Sequence, residues 1–236
     1  MQPISVRTGF LALTIVAIAS LGGVLTACSN ASQNQAQAPS TPDTQVGGKQ
    51  DMMHGGTMNH GSGMNHNMSM DLGPADADYD LRFVDAMIPH HQGAVEMAKE
   101  ALSKSQHPEI KKLAQDIIAA QNREINQLKQ WRQVWYPKAD STPMAFDEKM
   151  GHMMPMSQSQ MQDMMMKGDL GAADAQFDLR FINAMIPHHE GAITMAQDAA
   201  SKSKRPEIKK LAQDILTSQQ KEIDQMKEWR QSWYKQ

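Results

Sequence analysis

The sequence of 236 residues contains little cysteine, few aromatic residues and no large excess of charge. Its single cysteine, Cys28, excludes a disulfide within the chain and a zinc site built from several cysteines. Aromatic residues make up only 5% of the chain, which argues against a sandwich of aromatic and β-branched strands. The formal net charge is -3, so the chain lacks the basic excess expected of a nucleic-acid-binding protein.

Methionine and histidine are abundant instead, with 21 and 9 residues respectively. Fifteen of the methionines lie in two segments, residues 51–70 and residues 137–168. Thioether sulfur is a soft metal ligand, and imidazole binds copper and zinc. The positions of these two residue types therefore decide the functional interpretation.

Residues 1–27 have the form of a secretory signal. Arg7 precedes an apolar run from Gly9 to Leu25 that is shorter than a typical membrane span. The run ends in Leu25-Thr26-Ala27-Cys28, which resembles a bacterial lipobox, in which the cysteine becomes lipidated. We therefore expect an exported, periplasmic protein that contacts a membrane only through a lipid anchor at Cys28. The outer membrane is one membrane that could hold this anchor. Ordinary signal cleavage and a transmembrane helix are the alternatives.

Three further segments lie outside the repeats, two between this signal and the first repeat and one between the two repeats. Residues 28–50 are rich in Gln, Ser, Pro and Gly and predict a flexible tether. Residues 51–70 form a Met/His-rich, low-complexity segment, and residues 137–168 form a Met-rich linker that we also expect to be largely flexible.

Residues 71–136 and 169–236 are two tandem repeats. Asp71–Tyr136 aligns with Asp169–Tyr234 without a gap, and 44 of the 66 aligned positions are identical. Apolar residues recur at three- and four-residue steps before and after Pro108, which predicts two helices in each repeat. The connection between them is short, so each pair forms an antiparallel hairpin. Two hairpins predict an all-α four-helix bundle, with a coiled-coil oligomer as the alternative architecture.

The first helix of each repeat carries two adjacent histidines between two methionines. His90 lies one turn from Met87 and two turns from Met97, and His91 points into the neighbouring seam. The predicted metal ligands on the bundle are Met87, His90, His91, Met97, Met185, His188, His189 and Met195. The structural alternative is a set of core histidines with satisfied hydrogen bonds.

A glutamate in the second helix of each repeat lies level with these histidines in the predicted hairpin. Glu124 and Glu222 interrupt an otherwise apolar stripe, and a buried carboxylate needs a partner. Each glutamate is predicted to orient a metal-binding histidine by contacting the ring nitrogen that does not bind the metal. A purely structural pair with a histidine, or with Arg82, is left open.

The segments outside the repeats supply further candidate ligands. They are Met52, Met53, His54, Met58, His60, Met64 and His66 in the first segment, and Met150, His152, Met153, Met154 and Met156 in the second. The first segment shows no helix or strand periodicity, so its methionines are not expected in a core. In the second, a short helix over residues 157–167 could use part of the methionines for packing. Incidental methionines in a low-complexity linker are the alternative.

The ligand chemistry favours Cu(I), with Ag(I) next. Thioethers need no deprotonation, and an oxidising compartment does not convert them to disulfides as it does thiols. Zinc sites ordinarily use cysteine, histidine and carboxylate. The ligand types alone do not separate Cu(I) from Ag(I), Cu(II) or zinc.

The repeated pattern F-x-x-x-M-I-P-H-H-x-x-A-x-x-M-A, followed by P-x-I-x-x-L-A-x-x-I and Q-x-x-E-I-x-x-M/L-x-x-W, resembles the bacterial family named domain of unknown function 305. It stands at Phe83–Ala98 and Pro108–Trp131, and again at Phe181–Ala196 and Pro206–Trp229. The resemblance implies a ferritin-like four-helix bundle that binds copper and silver and supports copper resistance. It also implies that the motif's methionines and histidines are the ligands.

The sequence therefore predicts a copper-binding protein, not an enzyme, that buffers, sequesters or carries periplasmic copper. Its expected partners are the metal ion and a copper-delivery or efflux protein, and not nucleic acid. One alternative is a structural or signalling envelope lipoprotein in which the methionines only fill space. Another is a ferritin-like metal-dependent oxidase, which needs Glu-x-x-His motifs that neither repeat contains.

Overall fold

The structure is a computed structural model that describes residues 69–165 and 169–236. Its elements in chain order are α1 (Tyr79–Lys104), α2 (Pro108–Trp135), β1 (Met144–Asp147), β2 (His152–Pro155), α3 (Gln158–Met165), α4 (Phe177–Lys202) and α5 (Pro206–Tyr234). The predicted signal, the tether, Cys28 and the candidate ligands from Met52 to His66 lie outside the described residues. Within the described ranges, no helix is both long enough and apolar enough to cross a membrane.

Four long helices form the predicted all-α bundle of two hairpins. In each hairpin the first helix ends at a lysine, the next residue is extended, and a proline begins the second helix. Proline suits this first position because its missing N–H would have no partner within the helix. α1 continues through Pro89, and α4 continues through Pro187.

The two hairpins meet along α1 and α4, which run antiparallel. The Tyr79 hydroxyl at the start of α1 donates to Asp198 Oδ2 near the end of α4, at 2.8 Å. At the other end of the bundle, His107 Nδ1 lies 2.6 Å from Asp178 Oδ2 at the start of α4. The middle of α1 therefore faces the middle of α4.

Two apolar clusters fill the core, and each draws on both repeats. The first cluster includes Met87 from α1 and Met195 from α4, and the second includes Met97 from α1 and Met185 from α4. α1 and α4 thus each contribute one methionine to each cluster. Burying these apolar side chains stabilises the bundle by roughly 25 cal/mol for each Å² removed from water.

The linker of residues 137–168 is folded where the structure describes it, which corrects the expectation that it would be largely flexible. β1 and β2 pair antiparallel, with Met144 opposite Pro155 and Asp147 opposite His152. The short helix predicted over residues 157–167 is present as α3, Gln158–Met165. Both the β-hairpin and α3 pack on α1.

A buried carboxylate anchors the β-hairpin to the bundle. Asp85 on α1 accepts hydrogen bonds from Arg132 Nε at 2.5 Å and from the Met144 backbone N–H at 2.9 Å. This dual contact explains the ordering of the linker, since its first strand begins at the residue that Asp85 holds. The sequence interpretation did not include this role for Asp85.

Candidate metal centre

Four histidines are buried at the middle of α1 and α4. The rings of His90 and His188 face each other across the interface, with centroids 3.8 Å apart. Within each helix the adjacent ring lies farther away, at 6.4 Å for His91 and 6.3 Å for His189. The antiparallel contact of the hairpins therefore joins the two predicted His-His pairs into one centre.

The two facing imidazoles have no hydrogen-bond partner on either ring nitrogen. Leaving buried polar groups without partners is costly, and most proteins avoid it. Burial lowers the pKa of both His90 and His188 well below the usual value, and repulsion among the clustered histidines lowers it further. Both rings are therefore neutral at pH 7, which is the form that binds metal.

Glutamates from α2 and α5 contact the other two histidines, at the level that the hairpin register predicts. His189 Nε2 donates to Glu222 Oε2 at 2.6 Å. His91 Nε2 lies 2.7 Å from Glu124 Oε2, within ion-pair range but out of line for a hydrogen bond. A proton on Nε2 leaves the Nδ1 lone pair free, and Nδ1 has no partner in either ring. Glu222 can thus fix the His189 tautomer that a metal needs, and Glu124 lies close enough to favour the same tautomer in His91.

All four motif methionines are buried in the core. The sequence groups Met87 with Met97 on one helix, whereas the structure groups Met87 with Met195 and Met97 with Met185. Along α1, His90 lies between its two methionines, so each thioether pair belongs to one side of the histidine centre. The donors near the centre are therefore neutral imidazoles and thioethers, which suit a soft ion such as Cu(I) or Ag(I).

Across residues 69–165 and 169–236, no group of three or more His, Cys, Asp or Glu side chains is arranged to hold a metal ion. A metal at the centre would therefore need thioether ligands in addition to imidazole. Gln121 is also buried, and its amide lacks a hydrogen-bond partner. Its place on α2, one turn before Glu124, made it visible in the sequence as a break in the apolar stripe.

The candidate ligands of the linker do not converge on one point. His152 and Met154 share one face of β2, whereas Met153 between them lies on the opposite face. Met150 and Met154 are 61% and 40% exposed, whereas Met156 is buried in the first cluster. The alternation of a strand separates side chains that a flexible chain could have gathered around one ion.

Comparison with known proteins agrees with this architecture. A family model described as domain of unknown function (DUF305) matches residues 80–230. The Cu(I)-bound structure of CopM is 41% identical, with a TM-score of 0.52, over 66% of this chain and 97% of that chain. The Cu(II)-bound form of CopM gives the same identity and TM-score over 66% and 98%. CopM has also been crystallised in Ag-bound and apo forms.

Two other matches extend over less of the partner chain. A putative secreted DUF305 protein from Streptomyces coelicolor is 28% identical over 62% of this chain and 88% of that chain, with a TM-score of 0.49. An uncharacterized protein of Acanthamoeba polyphaga mimivirus is 51% identical over 49 residues, which are 21% of this chain. The matched region spans 32% of that viral protein.

Proposed function

This chain belongs to the family described as domain of unknown function 305, and from that premise we propose that it is a copper-binding protein that buffers, sequesters or carries copper. The supporting observation is the facing pair of His90 and His188. Their four ring nitrogens are buried and unpartnered beside thioether-containing clusters. A bound soft ion would satisfy the unprotonated nitrogen of each ring, and it would do so without displacing a proton from either neutral ring.

The comparisons support the same function from another direction. CopM structures contain Cu(I), Cu(II) or Ag, and this chain aligns with almost the whole of CopM at 41% identity. We extend that binding to this chain, with Cu(I) preferred and Ag(I) as a close substitute. The protein acts as a binder and not as an enzyme, and it supports copper resistance.

The proposed location is the periplasm, with a lipid anchor at Cys28. The lipobox-like residues before Cys28 and the apolar run from Gly9 support export. A thioether-based site suits that compartment because it does not depend on free thiols. A copper-delivery or efflux protein would then exchange the ion with this chain.

A Cu(I) titration against a chromogenic chelator tests the proposal. The double variant His90→Leu/His188→Leu keeps apolar volume but removes the facing nitrogens. We expect its Cu(I) affinity to fall by at least about tenfold, because removing even a residue that only hydrogen-bonds to a metal ligand typically has an effect of that size. The control is His107→Gln, at a partly exposed histidine near the end of the bundle. Its affinity should equal that of the wild type.

Thermal unfolding gives an independent measurement. An ion that binds only the folded state stabilises it by about 2.7 kcal/mol when its free concentration is a hundred times Kd. We therefore expect Cu(I) to raise Tm in the wild type and in His107→Gln, and much less in the double variant. No shift in any of the three proteins would favour a structural protein with a packed histidine core, and equal rises in all three would place the stabilising site away from His90 and His188.

A further inference from the structure

α3 brings a methionine from outside the repeats into the core. Met164 is only 4% exposed and belongs to the first cluster, together with Met87 and Met195. It stands in the linker and not in either copy of the repeated pattern, so the repeats give no counterpart by which to identify it. It nevertheless shares its apolar cluster with the thioethers that lie on one side of the histidine centre.

The backbone of α3 approaches the centre closely. The backbone of Met164 lies near the His188 ring, without a hydrogen bond to either ring nitrogen. The carbonyl of the following residue, Met165, rests against Gly93 on α1, and a Cβ at Gly93 would overlap it. Glycine at this position thus permits α3 to reach the level of the histidines. Met164 is therefore adjacent in the chain to the residue whose carbonyl rests against α1, three residues beyond His90.

The two clusters differ in a way that points to Met164. The first cluster contains Met87, Met156, Met164 and Met195, whereas the second contains Met97, Met185 and Met226. Met226 occupies the position that Leu128 occupies in the first repeat, and both are fully buried. An aliphatic side chain therefore serves equally at that position. Met164 instead belongs to the cluster of two motif methionines, on a helix that docks beside the histidines with unpartnered nitrogens.

We propose that Met164 is an additional thioether ligand for a soft monovalent ion, Cu(I) or Ag(I), held on the first-cluster side of the centre together with His188. This inference rests on the proposed function. A soft ion favours sulfur donors, and Met164 adds one that is already buried and held by the docking of α3. The centre would then be asymmetric, with a richer sulfur donor set on the side that α3 covers.

The decisive variant is Met164→Leu, which conserves volume and costs less than about 1.5 kcal/mol of stability. Its matched control is Met226→Leu, which places in the second repeat the residue that the first repeat already has. In a Cu(I) competition titration of the full chain, we expect Met164→Leu to weaken the tightest binding by about tenfold. Met226→Leu should leave it unchanged.

NMR of the methionine methyl groups reports on the residue directly. Substitution assigns the Met164 resonance, and Ag(I), which does not change oxidation state here, is the probe. The first equivalent of Ag(I) should move the Met164 and Met87 resonances but not that of Met226. An unmoved Met164 resonance together with wild-type affinity in Met164→Leu would overturn the proposal.

Two other outcomes separate this inference from the function on which it rests. If Met164→Leu and Met226→Leu weaken binding equally, the effect comes from packing and Met164 is not a ligand. If the wild type and His90→Leu/His188→Leu bind Cu(I) equally, the central site itself is wrong, and this inference fails with it. Loss in the histidine variant without loss in Met164→Leu overturns only the role of Met164.

Discussion

The two hairpins have the same centre and different ends. At the centre, each first helix presents two histidines and each second helix presents a glutamate, with His–Glu distances of 2.7 and 2.6 Å. The facing rings of His90 and His188 belong one to each hairpin. A shared site at the meeting point of two helices requires similar donors from both, and the duplicated chain supplies them.

At the ends, equivalent positions hold different groups that make similar contacts. Arg205 lies 3.4 Å from Asp80 and 4.1 Å above the Trp135 ring. His107 occupies the equivalent place at the other end, stacked 4.1 Å from the Trp233 ring. Its partner there is Asp178, at 2.6 Å. The comparison indicates that the ends need a planar group between a carboxylate and an indole, whereas the centre needs particular donor atoms.

The coverings of the two hairpins differ as well. β1 and α3 both pack on the first hairpin, and Arg82 there is 1% exposed. The equivalent Arg180 of the second hairpin is 35% exposed. Residue 85 is a buried aspartate that binds the β-hairpin, while its equivalent, Asn183, is exposed and accepts a hydrogen bond from Arg230.

His90 and His188 should contribute equally to the loss of folding stability at acid pH. Because burial lowers the pKa of His90 and His188 in the folded state, the unfolded chain binds more protons below about pH 6.5. Stability is thus complete above that pH and is lost as the pH falls. In urea unfolding of the metal-free protein, each histidine should contribute a slope of about 1.4 kcal/mol per pH unit.

His90→Gln and His188→Gln should each remove the same share of that slope. The control is His152→Gln on the exposed face of β2, which should leave the slope as it is. Unequal effects of the two central variants would show that the hairpins differ at the centre too. An unchanged slope in both would mean that neither ring is held neutral by the fold.

Removing the side chain of residue 85 and that of its equivalent, residue 183, should reveal a large difference in stability between the two hairpins. Asp85→Ala leaves Arg132 without its only carboxylate partner among the described residues and the Met144 N–H without its acceptor, so we expect a loss of about 3 kcal/mol. Asn183→Ala at the equivalent exposed position should cost less than about 0.5 kcal/mol. Urea unfolding of the two variants measures both. Similar losses would contradict the assigned role of Asp85 in anchoring the linker.

The helices, the short helix α3 included, and the position of each glutamate opposite a histidine were predictable from the sequence. The β-hairpin, the docking of α3 and the grouping of the methionines were not. Apolar periodicity and a short turn determine a hairpin locally, so Glu124 could be placed opposite His91 by counting. The β-hairpin and the docking of α3 on α1 depend on tertiary contacts with Asp85 and Gly93, for which local periodicity carries no signal. The pairing of Met87 with Met195 depends on how the hairpins meet, which the sequence pattern of one repeat does not contain.

Gly93→Ala should weaken the covering of the first hairpin alone. The added Cβ overlaps a backbone carbonyl of α3, which must move, so we expect a net loss of about 1–2 kcal/mol after the gain in helix propensity. Hydrogen exchange of the α3 amides should accelerate. Gly151→Ala strains the β-turn at φ 70° but meets no neighbouring atom, so it should leave α3 exchange unchanged. Unchanged α3 exchange in Gly93→Ala would refute the docking.

Exchanging the end groups should have the smallest effect. In His107→Arg, a guanidinium would lie between Asp178 and Trp233, as Arg205 lies between Asp80 and Trp135. A permanent charge over an indole and beside a buried carboxylate is worth up to about 1 kcal/mol here, so the free energy of unfolding should rise slightly. Arg205→His should lower it by a similar amount. Urea unfolding tests both, and a loss of stability in both variants would show that each end is fitted to its own residue and not to a shared planar geometry.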